Sequence, residues 1–191
     1  ERFCMKVLLV NGSPHENGCT YTALSEVAKA LRGEGVEADI FHIGKQPIWG
    51  CTACGACSKL ARCVVDDSVN AFTALAAEAD GFVFGSPVYY AHPSARLLTV
   101  LDRAFYSCGQ NFAFKPAAAV LSARRGGTPA SFDVINKYFT ICSMSVVSST
   151  YWNQVHGTKP ADVLEDKEGL MTMKNIGKNM AWLLRCIEAG Q

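Results

Sequence analysis

Short strand-like runs alternate with amphipathic helical stripes five times along this chain, and that alternation restricts the fold more than any other feature. Val7 to Val10 is fully apolar, Val36 to Ile43 alternates, and Gly81 to Gly85, Pro116 to Leu121 and Met144 to Val147 are short and mostly apolar. A stripe at helical spacing follows each. These are Leu24, Val27, Ala28 and Leu31; Val69, Phe72, Ala76 and Ala79, capped by Asp66 or Asp67; Leu97, Leu98, Leu101, Ala104 and Phe105, with Pro93 suited to the first turn; Phe132, Ile135, Phe139 and Cys142; and Met173, Ile176, Met180, Leu183 and Ile187. Apolar strands joined through helices make a parallel sheet with right-handed crossovers and helices on both faces. The pattern predicts a single α/β domain over 1–191, a three-layer sandwich with a five-stranded parallel sheet in the order 2-1-3-4-5. Residues 148–167 read as an irregular segment before the last helix. In such sheets ligands bind beyond the strand C-termini, near the point where strand order reverses. That brings together the loops after strands one, three and four.

The 191 residues are 49% hydrophobic and 18% charged, as in a globular chain with a full core. A net charge of +1 without a basic run argues against a nucleic-acid surface, and no apolar stretch has the length of a membrane span. Glu1 to Cys4 precede Met5 without a long apolar region, so no secretion signal is expected and Met5 is a candidate natural start. Nine cysteines, four of them crowded, then suggest thiols or metal ligands in a cytoplasmic protein, not a disulfide framework.

The first of the three loops runs Gly12-Ser13-Pro14-His15-Glu16-Asn17-Gly18-Cys19-Thr20 into a helix. A helix start presents unpaired N–H groups and partial positive charge, which suits an anion such as phosphate; an ordinary loop with a capping hydroxyl is the plainer reading. Neither the Gly-x-Gly-x-x-Gly fingerprint nor a Gly-Lys-Ser/Thr ending is present. The loop resembles the Gly-Ser-Pro-x-x-x-Gly-x-Thr phosphate loop of the flavodoxin-like NADPH-dependent FMN reductase family. It departs at His15, where members often carry Arg or Lys, and at Cys19, where they often carry Asn or Ser.

The resemblance extends to the second loop, Ser86-Pro87-Val88-Tyr89-Tyr90, and the third, Ser122-Ala123-Arg124-Arg125-Gly126-Gly127. It implies FMN held by Ser13, His15, Asn17, Gly18, Cys19 and Thr20 at the phosphate. Pro87, Val88, Tyr89 and Tyr90 would then meet the ring, and Ser122, Arg124, Arg125, Gly126 and Gly127 its polar edge. Tyr89 or Tyr90 would stack on the ring, and Arg124 or Arg125 would place positive charge near it or meet an NADPH phosphate. A half-buried tyrosine and a solvated basic turn are the plainer readings. NAD(P)H as co-substrate, a small-molecule or protein electron acceptor and a homodimer or homotetramer are likewise implied. No residue stands out as a general acid or base.

Cys51-x2-Cys54-x2-Cys57-x5-Cys63 brings four thiols within 13 positions. The bacterial ferredoxin run has a fourth Cys after x3 followed by Pro; here it follows x5 and precedes Val64. The spacing is similar to the compact motif of the iron–sulfur flavoproteins, a branch of the same family, which implies a [4Fe-4S] cluster on these four residues. Zinc, free thiols and a redox-active pair remain open beside it. Two other functions compete: a non-catalytic electron carrier, which the near-neutral charge disfavours, and a non-redox ligand-binding protein with a zinc-held loop.

Overall fold

A computed structural model describes residues 5–190. Glu1 to Cys4, and with them the question of a natural start at Met5, lie outside the described residues. In chain order the elements are β1 (Lys6–Asn11), α1 (Cys19–Gly33), β2 (Glu37–His42), α2 (Cys57–Leu60), α3 (Ser68–Glu78), β3 (Gly81–Tyr89), β4 (His92–Pro93), α4 (Ala95–Cys108), β5 (Ala117–Ala123), α5 (Thr128–Ile141), β6 (Gln154–His156), α6 (Pro160–Glu165) and α7 (Lys167–Ala189). The main sheet runs β2-β1-β3-β5-β6, all parallel, with β4 added antiparallel to the end of β3. Counting only the parallel strands, this is the expected order 2-1-3-4-5.

Strand alternation divides the core into two layers. Leu8 and Val10 of β1, Phe82 and Phe84 of β3, and Ala117, Ala119 and Leu121 of β5 face α3, α4 and α5. Val7, Leu9, Val83, Ala118 and Val120 face α1 and α7. The first layer is aromatic: Phe72, Phe82, Phe84, Phe105, Phe112 and Phe139 are joined by ring contacts, with Phe105 stacked on Phe112 at 4.2 Å between centroids. Gly177 lets α7 lie directly on α1, since a Cβ there would meet Ala30 Cβ at 2.6 Å and the Val27 carbonyl at 2.8 Å.

Two expectations are corrected. The fifth strand is not Met144 to Val147. That stretch makes only one isolated parallel bridge, Val146 with Ala117, and the paired strand is Gln154–His156 beside Leu121 to Ala123. Together they form two short pieces beside one strand, interrupted by 148–153, so neither shows a clear periodicity. The segment read as irregular therefore holds β6 and α6. Pro93 does not open α4. It pairs with Val88 in a two-residue hairpin whose tip, Tyr90 and Ala91, has φ of 52° and 59°, the backbone of a type I′ turn. Ser94 then takes the N-cap position, before Ala95.

Candidate functional site

The parallel register aligns the strand ends at one edge: Asn11 lies opposite Gly85, and Pro87 opposite Ser122. The three loops leave from this edge and line one cleft of about 660 Å³, within the roughly 300–1,000 Å³ usual for ligand pockets.

Asn11 holds the first loop in shape. Fully buried, it accepts from the Ser13 N–H at 3.1 Å and donates to the Glu16 carbonyl at 3.0 Å. The Gly12 N–H donates to the Gly85 carbonyl at 2.8 Å, and the His42 ring bonds the Ser13 carbonyl at 2.9 Å. Ser13 Oγ accepts from the His15 N–H at 3.1 Å, leaving its hydroxyl proton available. The loop delivers the chain to α1 at Gly18, where no side chain caps the helix and no acidic residue occupies the first turn. The helix start thus keeps its N–H groups and positive end for something other than the protein's own side chains. Thr20 Oγ1 and Ser122 Oγ share a hydrogen bond at 2.8 Å across the cleft floor, and the hydroxyl that accepts keeps a free proton. Asn11→Ala is expected to cost about 1–3 kcal/mol, because the loop N–H and carbonyl lose buried partners; a urea midpoint together with ligand titration would register it.

Of the residues nominated from sequence, Ser13, His15, Asn17, Gly18, Cys19, Thr20, Pro87, Val88, Tyr89, Ser122 and Arg124 all line this cleft. Tyr90, Arg125, Gly126 and Gly127 do not. Tyr90 points outward from the hairpin tip, fully exposed. Gly127, at φ 91°, is required for another reason: a Cβ there would come within 2.7 Å of Ala91 Cα, so it seats the hairpin against the start of α5.

Sequence reading missed a whole wall, Gly157, Thr158, Lys159 and Pro160, along with Glu16 and Lys45. The wall follows β6, whose three residues carry too little pattern to be read. It is fixed by Asp162, whose Oδ2 accepts from the N–H groups of Thr158 at 2.9 Å and Lys159 at 3.1 Å. Those bonds hold the Asp162 carboxyl below its ordinary range. Lys45 is presented by Arg96, which donates to the carbonyls on either side, Gly44 at 2.6 Å and Gln46 at 2.9 Å. Lys45, Arg124 and Lys159 outweigh Glu16, so the cleft is electropositive and favours an anionic ligand. Burial pushes the Cys19 thiol up, which keeps it neutral beside that anion.

The cysteine loop lies elsewhere. Cys51, Cys54, Cys57 and Cys63 are free thiols that line a second, smaller cavity together with Arg103. Expected to wrap one point, they are not drawn to one: among the described residues no three His, Cys, Asp or Glu side chains stand close enough to hold one ion. Cys51 and Cys54 are exposed, on a loop with left-handed backbone at Ala53, Gly55 and Ala61. Cys63 is tied inward to Arg103, whose Nε and Nη2 donate to its sulfur at 3.3 and 3.1 Å. Burial alone would lower the Arg103 pKa, but the bonds to Asp67 and Cys63 outweigh it and raise it. Sequence reading passed over Arg103, which stands between Leu101 and Ala104 of the apolar stripe and is buried with them in the structure.

The family model of the NADPH-dependent FMN reductases matches residues 5–159. An iron–sulfur flavoprotein of Methanocaldococcus jannaschii is 32% identical, over 96% of this chain and 100% of its own length. Another, of Methanosarcina thermophila, is 28% identical over 96% and 97%. Among solved structures, an NAD(P)H:quinone oxidoreductase from Methanothermobacter marburgensis superposes with a TM-score of 0.72 at 16% identity, covering 93% of this chain and 96% of that one. At that identity the likeness speaks for the fold alone. Among the described residues no helix is long and apolar enough to cross a membrane.

Proposed function

The chain belongs to the NADPH-dependent FMN reductase family and is by that membership a flavin-dependent oxidoreductase; on that premise we propose that it binds FMN in the three-loop cleft and an iron–sulfur cluster at Cys51, Cys54, Cys57 and Cys63. The observation that carries the flavin half is an uncapped helix start opening into an electropositive cleft of about 660 Å³. Bound there, FMN supplies hydride acceptance from a reduced nicotinamide and release of electrons to an acceptor.

The chain's own residues bind and orient. The start of α1, Ser13 and Thr20 take the phosphate, with Lys45 and Lys159 adding charge at the rim. Tyr89, half exposed on the cleft wall, offers an aromatic face to the ring. Arg124, on the lining of the same cleft, would place positive charge near the ring and so favour its anionic reduced form. No side chain is needed to move a proton in hydride transfer, and none in the cleft is arranged as an acid–base pair.

The donor chemistry favours the cluster. Four free thiols share one cavity, with no histidine or carboxylate among them, and soft sulfur ligands select iron–sulfur clusters, zinc or copper. The resemblance to the iron–sulfur flavoproteins over essentially the whole length tips this toward iron. A cluster exchanging electrons with a flavin would divide a two-electron supply into single steps for a quinone, nitro compound, free flavin or protein acceptor, in a cytoplasmic homodimer or homotetramer using NADH or NADPH.

Anaerobic purification with assay of iron, acid-labile sulfide, zinc and FMN per chain is the test. About four irons, four sulfides and one FMN are expected, as for a [4Fe-4S] flavoprotein. FMN with zinc or with bare thiols would end the cluster reading and leave a flavin reductase. Failure to take up FMN after reconstitution would overturn the proposal.

A further inference from the structure

Arg103 is the largest fully buried side chain in the described residues, and every direction in which it donates leads to the cysteine loop. Its Nε and Nη2 reach the Cys63 sulfur, Nη2 also the Val65 carbonyl at 2.8 Å, and Nη1 the Trp49 carbonyl at 3.1 Å. Asp67 completes the set, at 2.5 Å from Nη1. Trp49 and Val65 flank the two ends of the four-cysteine stretch, so one guanidinium from α4 closes that loop at its base. Among the described residues, Cys63 alone of the four thiols has a charged donor on its sulfur.

We propose that Arg103 is a positioning residue for the cluster, anchoring Cys63 as its fixed ligand and raising the cluster's reduction potential through the two N–H bonds to that sulfur. This rests on the reading that the four cysteines hold an iron–sulfur cluster. Guanidinium stays charged at all working pH values, so the effect requires no titration. Reduction adds negative charge to a cluster and its sulfurs. A permanent cation donating to one of those sulfurs stabilises the reduced form more than the oxidised one, and such hydrogen bonds are among the terms that set cluster potentials. Asp67 offsets part of the charge, but it lies on the far side of the contact: it bonds Nη1, whereas the sulfur receives Nε and Nη2. The exposed Cys51 and Cys54, and Cys57 at the start of α2, then close onto a point that Arg103 has already set. The Arg103 pocket and the three-loop cleft have no lining residue in common, so Arg103 touches a cluster ligand and no cleft residue, and the flavin potential is the internal control.

The test compares wild type, Arg103→Lys, and the charge-neutral double variant R103M/D67N, each as the full chain reconstituted with iron, sulfide and FMN. Iron content and the midpoint potentials of cluster and flavin are measured separately, by paramagnetic resonance and by visible absorbance during a redox titration. The double variant is expected to shift the oxidised-to-reduced ratio of the cluster toward oxidised by about tenfold, or about 59 mV for one electron. Arg103→Lys, which keeps charge but loses the fork, should shift less in the same direction, and the flavin potential should stay at the wild-type value. Should the double variant fail to fold, a lowered cluster potential in Arg103→Lys still supports the assignment and an unshifted one overturns it. Four irons with an unshifted potential in both variants would refute the role of Arg103 and leave the cluster standing. A wild type that takes up no iron would refute both.

Discussion

Asp67→Ala is expected to destabilise the protein by about 3–5 kcal/mol, the cost of leaving one partner of a buried ion pair uncompensated. Arg103 cannot reach water to recover, since it is only 2% exposed and enclosed by the Cys63, Val65 and Trp49 contacts. Asp67 also caps α3, where its Oδ1 accepts from the Val69 N–H at 3.0 Å. Loss of a cap costs about 1 kcal/mol more. Against a total stability of about 5–15 kcal/mol for a domain of ordinary size, this is a large fraction. Asp67→Asn separates the ion pair from the cap, because asparagine caps a helix about as well and still accepts a hydrogen bond while losing the charge. Its loss should be smaller only by what the cap and the remaining hydrogen bond contribute, about 1–2 kcal/mol, and the rest reads the uncompensated charge of Arg103. The measurement is the urea midpoint at unchanged slope. An alanine variant within about 1 kcal/mol of wild type would mean that the pair behaves like a solvent-exposed one, and that water reaches Arg103 after all.

The contrast between what the sequence revealed and what it concealed follows from where information is repeated. Leu24, Val27 and Leu31, or Phe72 and Ala76, are each one instance of a periodic rule, so the burial of α1 and α3 could be read without coordinates. Gly12 to Thr20 was legible for a similar reason: a turn-rich loop between an apolar strand and a helical stripe can lead only to the helix start. The wall at Gly157 to Pro160 was not legible. It depends on a three-residue strand and on Asp162 bonding two backbone N–H groups, neither of which leaves a periodic trace. Tyr89 and Tyr90 show the limit in one pair. Composition cannot tell which of two adjacent tyrosines faces the cleft; the type I′ backbone at Tyr90 and Ala91 decides it, sending Tyr90 outward. For the cysteines, spacing indicated shared use, and the structure adds that, among the described residues, only Cys63 of the four is tied to the body of the protein by a buried charge.

Gly85→Val joins fold and site most directly and should damage both. Gly85 lies in β3 opposite Asn11 of β1 and beneath the first turn of α1. A Cβ there would stand 2.7 Å from Leu24 Cδ1, 2.9 Å from Leu24 Cγ and 2.9 Å from Thr20 Cγ2. Leu24 and Thr20 are both buried, so neither side chain can swing away into solvent; α1 itself must lift from the sheet. Overpacking of this kind costs about 1–3 kcal/mol, and valine's two further methyl groups place this case at the upper end. The displacement also falls on the residue that shares its hydroxyl bond with Ser122 across the cleft floor. The start of α1 would then no longer meet the Ser13 loop at the distance that suits one phosphate. FMN binding should weaken by more than about tenfold, equivalent to roughly 1.4 kcal/mol, as read by quenching of flavin fluorescence. Gly85→Ala, adding one carbon, should show a milder form of both losses. A valine variant that is destabilised yet binds FMN with wild-type affinity would show that the cleft does not depend on the seating of α1, and the phosphate would have to be sought at the Lys45 and Lys159 rim instead.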